Sequence, residues 1–440
     1  MNKNIAIGRA VLQGARLGLL AAAGLVLGVL PSCRQEPDAI FDKSSSERVD
    51  ALTTELQQIL TASSTGWVLE YFPHSQLLYG GYPVTMTFGA KNEVLMASDA
   101  PVKGHSTDEV KSNYHLKSDK MVSLSFDTYN SALHLFSDPD KSYGAGEGKS
   151  FEGDYEFSFV RSVSPDTLYL KGRKTGVIMR MFRPKVAAKE YLAKVLDLKS
   201  RAYTSQSMYQ QHLYGLTGKL GGKSVVAYLD NEGYNILTIE DAETGKKTEV
   251  PYVYTPDGLQ FHKEYNGVST LLWQDADKSY NTPAGEKLTA RTDPDYAGFA
   301  RYLGEYELKC SGWANGRTVT FTQSARNQYR ITGMASNLTI YATYDAAKDR
   351  FEIKTQKLEG SGGAYLCVWD SKLGNLSWGN GYGMYSRRNE SYTAGDQYTL
   401  VDNGLWGTFT AYSFILWKPG TGEYKSFGDS RFTEPVLTKK

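Results

Sequence analysis

The chain has 440 residues, with 49 Lys and Arg against 48 Asp and Glu, a formal charge of +1. The two signs are mixed along its length, which argues against nucleic acid or an anionic membrane surface as a partner recognised by charge. Tyr (31) and Gly (43) are conspicuous and Pro is sparse (14), a composition that favours antiparallel sheet over disorder.

The first segment carries Lys3, Arg9 and Arg16 and no acid, then runs apolar from Leu17 to Leu30 and closes on Leu30-Pro31-Ser32-Cys33. At ~1.5 Å per helical residue that run is about 21 Å long, short of the ~30 Å hydrocarbon core, so a permanent span is not expected. The tetrad resembles a bacterial lipobox. The resemblance implies that residues 1–32 are a lipoprotein signal peptide and that Cys33 is acylated with palmitate-type chains. Several such chains, at ~0.8 kcal/mol per buried methylene, would hold the protein on a membrane. Losing the three basic residues leaves a slightly acidic body.

Residues 33–43 read as a tether. Ser44 to Glu47 has capping-box spacing, and Val49, Leu52, Leu56, Ile59 and Leu60 follow on one face, which predicts an amphipathic helix over 45–62. After Gly66 the period becomes two. Trp67–Phe72, Val84–Phe88, Val94–Met96, Val122–Phe126, Leu133–Phe136, Tyr155–Val160, Leu168–Leu170 and Val177–Phe182 are predicted strands, and Tyr191, Leu192, Val195 and Leu196 predict a linker helix over 186–199. Residues 44–200 thus form a helix plus an antiparallel β-domain, a curved sheet or a small barrel. A second β block, 201–290, has strands at Val225–Leu229, Tyr234–Ile239, Val250–Tyr254 and Val268–Trp273, and either stands alone or completes the first sheet. Thr282–Pro294, rich in Thr, Ala and Asp, is the predicted linker. The block 296–440 carries a meander, Leu303–Cys310, Arg317–Thr322, Tyr329–Thr332, Leu338–Ala342 and Phe351–Lys354, with the rhythm of a lipocalin-like β-domain. The fold class is mainly β with an α+β margin.

Three passages carry a family resemblance: Phe41–Arg48; Gly66-Trp67 with Tyr71 and Gly80-Gly81-Tyr82; and Leu124–His134 with Gly153–Phe157 and Leu170–Lys174. Together they resemble an uncharacterised lipoprotein family of Bacteroidota, a domain of unknown function, over roughly residues 35–290. The resemblance implies the outer membrane, the cell surface, and a place beside outer-membrane transport proteins that import nutrients. It implies no reaction.

Motifs of chemistry are scarce. The six histidines (His74, His105, His115, His134, His212, His262) show no His-Glu-x-x-His, and Asp138-Pro-Asp140 starts like a calcium loop but has Tyr143 and Lys149 where Gly and Glu belong. There is no nucleophile elbow and no phosphate-binding loop. No catalytic residue, metal ligand or cofactor is therefore assigned. Cys310 and Cys367 either form a disulfide in an oxidising compartment or are two buried thiols on separate strands. The last third crowds Trp and Tyr among Gly and Asn. Trp378, Tyr382, Tyr385 and Trp406 are the expected ligand contacts, a flat aromatic surface for a glycan or peptide, with core packing as the alternative. Tyr79-Gly80-Gly81-Tyr82 poses the same choice. The expected function is a non-enzymatic binding or accessory lipoprotein of a nutrient-uptake system, contacting a glycan, a peptide or a partner protein. A surface hydrolase of polysaccharide or peptide, and a structural subunit without a small ligand, are the alternatives.

Overall fold

A computed structural model describes residues 44–102, 104–118, 121–140, 148–230 and 233–440. The expected signal peptide, Cys33 and the tether lie outside the described residues. Helix α1 (Ser45–Thr61) begins at the anticipated cap: the Ser44 N–H donates to Glu47 Oε2 (2.8 Å) and the Glu47 N–H to Ser44 Oγ (3.3 Å). Leu56 and Leu60 are buried, with Leu52 and Ile59 packed partly against the same core, and the Trp67 indole N–H donates to the Leu60 carbonyl (3.0 Å). This face covers an open, nine-stranded antiparallel sheet.

Four strands (Trp67–Tyr71, Tyr82–Phe88, Glu93–Ser98, Val110–Asn113) step outward from the sheet's middle. Five more (His115–Ser118, Val122–Ser125, Glu156–Ser164, Thr167–Gly172, Ile178–Phe182) lie on the other side, the last pairing with the first through Val68↔Phe182 and Leu69↔Met181. Every residue of Trp67–Tyr71 is buried, because Trp67, Leu69 and Tyr71 face the core under α1 while Val68 faces a second core on the opposite side. Even Glu70 is enclosed, held by Arg180 Nε at 2.9 Å.

The alternation Leu133–Phe136, expected as a strand, instead begins in helix α2 (Ser131–His134). Asn130 caps it, its Oδ1 accepting the Ala132 N–H (3.0 Å), while its Nδ2 donates to the Val110 carbonyl and Ser112 Oγ. A buried Asn N-cap outweighs a four-residue apolar alternation.

Helix α3 (Ala188–Arg201) buries Ala188, Tyr191, Leu192, Val195 and Leu198 and packs against both the sheet strand Tyr82–Phe88 and the later strand Lys247–Thr255. The six-residue helix α4 (Ser205–Gln210) follows. Eight strands from Leu213–Leu220 to Lys287–Thr292 then form a closed up-and-down barrel, shut by Leu216↔Ala290 and Thr217↔Thr289. Its centre is filled by side chains such as Leu216, Ala227, Leu237, Leu259, Leu271 and Leu288. The expected linker 282–294 is corrected here. Residues 287–292 are the closing strand, with Leu288 fully buried, and no local signal reveals a Thr/Ala-rich strand whose partner lies seventy residues earlier in the chain.

Helix α5 (Tyr296–Ala300) leads to a second closed antiparallel barrel of eight strands: Gly304–Lys309, Arg317–Ala325, Gln328–Thr332, Thr339–Asp345, Arg350–Lys354, Gly383–Arg388, Gln397–Asp402 and Val436–Lys439. Tyr306↔Lys439 and Leu308↔Leu437 close it. Between these strands, residues 356–377 and 413–433 leave the barrel to build a six-stranded sheet whose Leu366, Val368, Phe414 and Leu416 join the barrel's core. The protein is therefore mainly β, as its composition indicates. Cys310 and Cys367 are both free and buried, so the disulfide alternative is not realised, and burial pushes both thiols up to about 12.

Candidate functional site

The four expected aromatic contacts do not form one surface. Trp406 is buried in the second barrel's core, 6.3 Å from the half-buried Tyr382 ring and 5.3 Å from Phe409. Tyr385 lies apart from them, capped by the Arg350 guanidinium at 3.7 Å. Only Trp378 is exposed (44%), and its ring neighbours Tyr365 at 6.4 Å. Three of the four are thus committed to packing or to a cation, and the flat-platform expectation has no geometric basis.

Tyr79-Gly80-Gly81-Tyr82 is a seam rather than a site. Gly80 adopts φ +69°, and a Cβ there would fall 2.1 Å from the Asn235 carbonyl oxygen of the first barrel. Across the same junction the Gly81 N–H donates to the Tyr252 carbonyl (2.9 Å) and Asn235 Nδ2 donates to the Gly81 carbonyl (2.6 Å). Gly80 lets the loop between the central strands Trp67–Tyr71 and Tyr82–Phe88 lie directly on barrel backbone.

A different place collects polar side chains around open space. Helix α4 crosses the mouth of the first barrel, fixed by a reciprocal cap in which the Ser207 N–H donates to Thr204 Oγ1 (3.0 Å) and the Thr204 N–H to Ser207 Oγ (2.9 Å). Met208 anchors it in the barrel core. Two cavities flank it and share Ser205, Gln206 and Leu229. The larger, about 420 Å³, is faced by Tyr209, Tyr214 and Arg326. The smaller, about 290 Å³, is faced by Lys199, Asp230, Asn235, Tyr252 and Tyr254. Together they make one groove lined by tyrosines, hydroxyls and amides, with a cation on each side.

Both cations are held rigidly. Arg326 grips Asp293 through two hydrogen bonds, Nε to Oδ2 at 2.8 Å and Nη2 to Oδ1 at 2.9 Å, reaches Asp295 at 2.5 Å, and stacks its guanidinium 3.5 Å from the Tyr214 ring. Burial opposes its charge, but the Asp293 hydrogen bonds and charge prevail and hold its pKa above the ordinary value. Lys199, in the last turn of α3, donates to Asp99 Oδ2 (2.8 Å) and lies 5.2 Å over Tyr254. Desolvation works against its charge here too, and Asp99 outweighs it, so the ammonium is favoured. Asp99 is almost wholly enclosed (2% side-chain exposure), and its Oδ1 has no hydrogen-bond partner. The Tyr280 hydroxyl, electrostatically coupled to Tyr252 and Tyr254 inside the barrel, is likewise buried without a partner. Burial drives all three of these phenols upward, so they stay protonated as donors.

Sequence reasoning had no means of finding this groove. Lys199 and Asp99 are separated by one hundred residues, and Arg326 comes from the other barrel. Its only local sign is Tyr density, which is spread over the whole chain.

His134, singled out in the family-like passage, is ringed rather than poised: its Nδ1 accepts the Asn130 N–H (3.0 Å), and Tyr129 and Tyr155 flank it at 5.3 and 5.2 Å.

A family model described as a domain of unknown function (DUF4302) matches residues 37–269, the sheet and most of the first barrel. A second, also a domain of unknown function (DUF4987), matches residues 281–417, so the groove draws residues from both. No curated protein matches the chain.

Proposed function

The chain belongs to the family of the domain of unknown function DUF4302, which carries no assigned reaction, and from the groove's chemistry we propose that it is a binding protein for a saccharide. The observation that carries this reading is the lining around α4. Tyr209 contributes a half-buried ring beside the Arg326-stacked Tyr214, Tyr252 and Tyr254 contribute phenols that burial keeps protonated, and Ser205, Gln206 and Asn235 add short polar groups. Sugars present alternating C–H faces and hydroxyl edges, which such a lining matches. Both barrels are packed with side chains, so a ligand has room at this mouth rather than within a lumen. Pinned cations lower the ordering cost of binding, since Lys199 and Arg326 are already fixed by carboxylates. With the lipobox at Cys33 and the family context, the protein is proposed to act as a lipid-anchored accessory component of nutrient uptake at the outer membrane, facing outward beside transport proteins.

The test is a thermal-shift series on the whole protein with neutral and amino oligosaccharides, and with short peptides as the competing class. A ligand at ~100 times its Kd adds roughly 2.7 kcal/mol to the folded state, a shift of several degrees. Tyr214→Ala and Gln206→Ala should each weaken that ligand at least tenfold while leaving the fold intact. A flat saccharide series, or unchanged affinity in both folded variants, would sink the proposal. A peptide-only response would replace it.

A further inference from the structure

On the second barrel, well separated in sequence from α4, an open concavity of about 650 Å³ is lined by Arg317, Arg330, Thr332, Ser336, Asn337 and Thr339, with small or apolar residues between them and no carboxylate in its wall. Three strands and a loop build it, with Arg317 opening the strand Arg317–Ala325 and Thr339 opening the strand Thr339–Asp345. Arg330 and Thr332 alternate outward along Gln328–Thr332, with Thr332 paired across the sheet to both Thr320 and Thr339. The loop 333–338 turns over one end, secured where the Ser336 N–H donates to the Phe427 carbonyl (3.0 Å) and the Leu338 N–H to the Ala335 carbonyl (3.2 Å). Gly333 at φ +92° lets that loop start against the Thr318 carbonyl, where a Cβ would sit 2.4 Å away.

The two arginines differ in a telling way. Arg317 is fixed: it donates to the Met334 carbonyl (3.3 Å) and to Asp429, and its guanidinium lies 4.4 Å over Trp313. Those two bonds occupy only part of its five-donor fork. Arg330 is exposed, and alone among the arginines of the described residues its guanidinium has no carboxylate, hydrogen-bond or aromatic partner. Other arginines of the described residues, such as Arg173, Arg291 and Arg350, are tied to an acid, a ring or a backbone carbonyl. A free guanidinium beside an anchored one, with three hydroxyls and an amide between and no acid in the wall, has the chemistry of an oxyanion cradle.

We propose that this concavity binds a tetrahedral oxyanion, Arg330 closing on it while Arg317 and the hydroxyls of Thr332, Ser336 and Thr339 position it. Two sources supply that chemistry, a free inorganic anion and a sulfate ester on a saccharide. The site does not depend on the α4 groove.

Calorimetric titration of the whole protein at low ionic strength, first with sodium sulfate and then with a sulfated disaccharide and its desulfated counterpart, tests this. Sulfate should bind with an affinity that is flat from pH 6 to 9, because guanidinium charge is constant there, and that falls as chloride is added. Arg330→Ala should weaken it at least tenfold, and Arg330→Lys should recover only part, a point charge replacing a planar fork. Arg330 is exposed, so both variants should keep the parent Tm. Arg317 is left intact because its contacts to Trp313 and Asp429 serve the fold. A sulfated sugar that binds much more tightly than inorganic sulfate would identify the ester as the source; equal binding would identify the free ion. Absence of sulfate binding at low salt, or identical affinity in Arg330→Ala, would overturn the site. Tyr214→Ala should leave sulfate binding unchanged, which separates a failure here from a failure of the groove.

Discussion

Replacing Gly80 by Ala should break the seam between the sheet and the first barrel. The left-handed backbone at φ +69° costs an Ala about 1–2 kcal/mol. Reduced freedom of the unfolded chain returns roughly 0.4–1 kcal/mol of that. Steric overlap costs more: the new Cβ would lie 2.1 Å from the Asn235 carbonyl oxygen, where real contacts essentially never fall under 3.0 Å. Backbone on both sides must therefore separate by about 1 Å. That strains the Gly81 N–H to Tyr252 carbonyl bond, the Asn235 Nδ2 to Gly81 carbonyl bond, and the Tyr252 N–H to Asn235 carbonyl bond. At about 1 kcal/mol each, and more for groups left buried and unpaired, the total loss is about 3–5 kcal/mol. Gly222 is the control, since it has φ +80° and nothing within 4 Å of where a Cβ would stand. Gly222→Ala should cost about 1 kcal/mol or less, from the backbone conformation alone. Urea unfolding of the two variants gives the difference, and hydrogen exchange should show Asn235 and Tyr252 losing protection only in Gly80→Ala. If the two variants fall within about 0.5 kcal/mol of each other, the close approach does not bind sheet to barrel and the reasoning fails.

Lys199→Met should destabilise the protein by about 3–5 kcal/mol, because it strands the enclosed Asp99 carboxylate, and adding Asp99→Leu should recover most of the loss. The folded-state pKa of Lys199 lies above its ordinary 10.5, so its contribution is complete below that pH and is lost as pH rises through the folded value. Unfolding measured from about pH 9 to 12 should show the fall, confined to the range above 10.5, in the parent and not in the double variant. Cys310 and Cys367, with thiols pushed up to about 12, should resist iodoacetamide in the native protein at pH 8 and react once it is denatured; rapid native labelling mapped by mass spectrometry would contradict their burial. Trp406→Ala should cost about 3–5 kcal/mol and Trp378→Ala under about 1 kcal/mol, an ordering that thermal unfolding can reverse if Trp406 is the surface residue and Trp378 the core one.

Local patterns in the chain determined a good deal. The capping box at Ser44 and Glu47, the apolar face of α1, the alternating strands from Trp67 onward and the face of α3 at Tyr191, Leu192 and Val195 were all legible, because each depends on residues within one or two turns or pleats of each other. The β-rich class followed from the same periodicities. What local pattern could not decide was closure and convergence. Whether residues 287–292 were linker or strand depended on Leu213–Leu220, whose hydrogen bonds reward an otherwise loop-like composition. Whether Leu133 belonged to a strand or a helix turned on Asn130 finding the Val110 carbonyl and Ser112. Trp406 and Tyr382 carry the same local signature as Trp378, and only packing against Phe409 and the barrel core separates a buried ring from an exposed one. The groove is the extreme case: Asp99, Lys199, Tyr252 and Arg326 come from the sheet, the linking helix and two barrels, and their chemistry exists only because long-range strand pairing brings those pieces to one mouth.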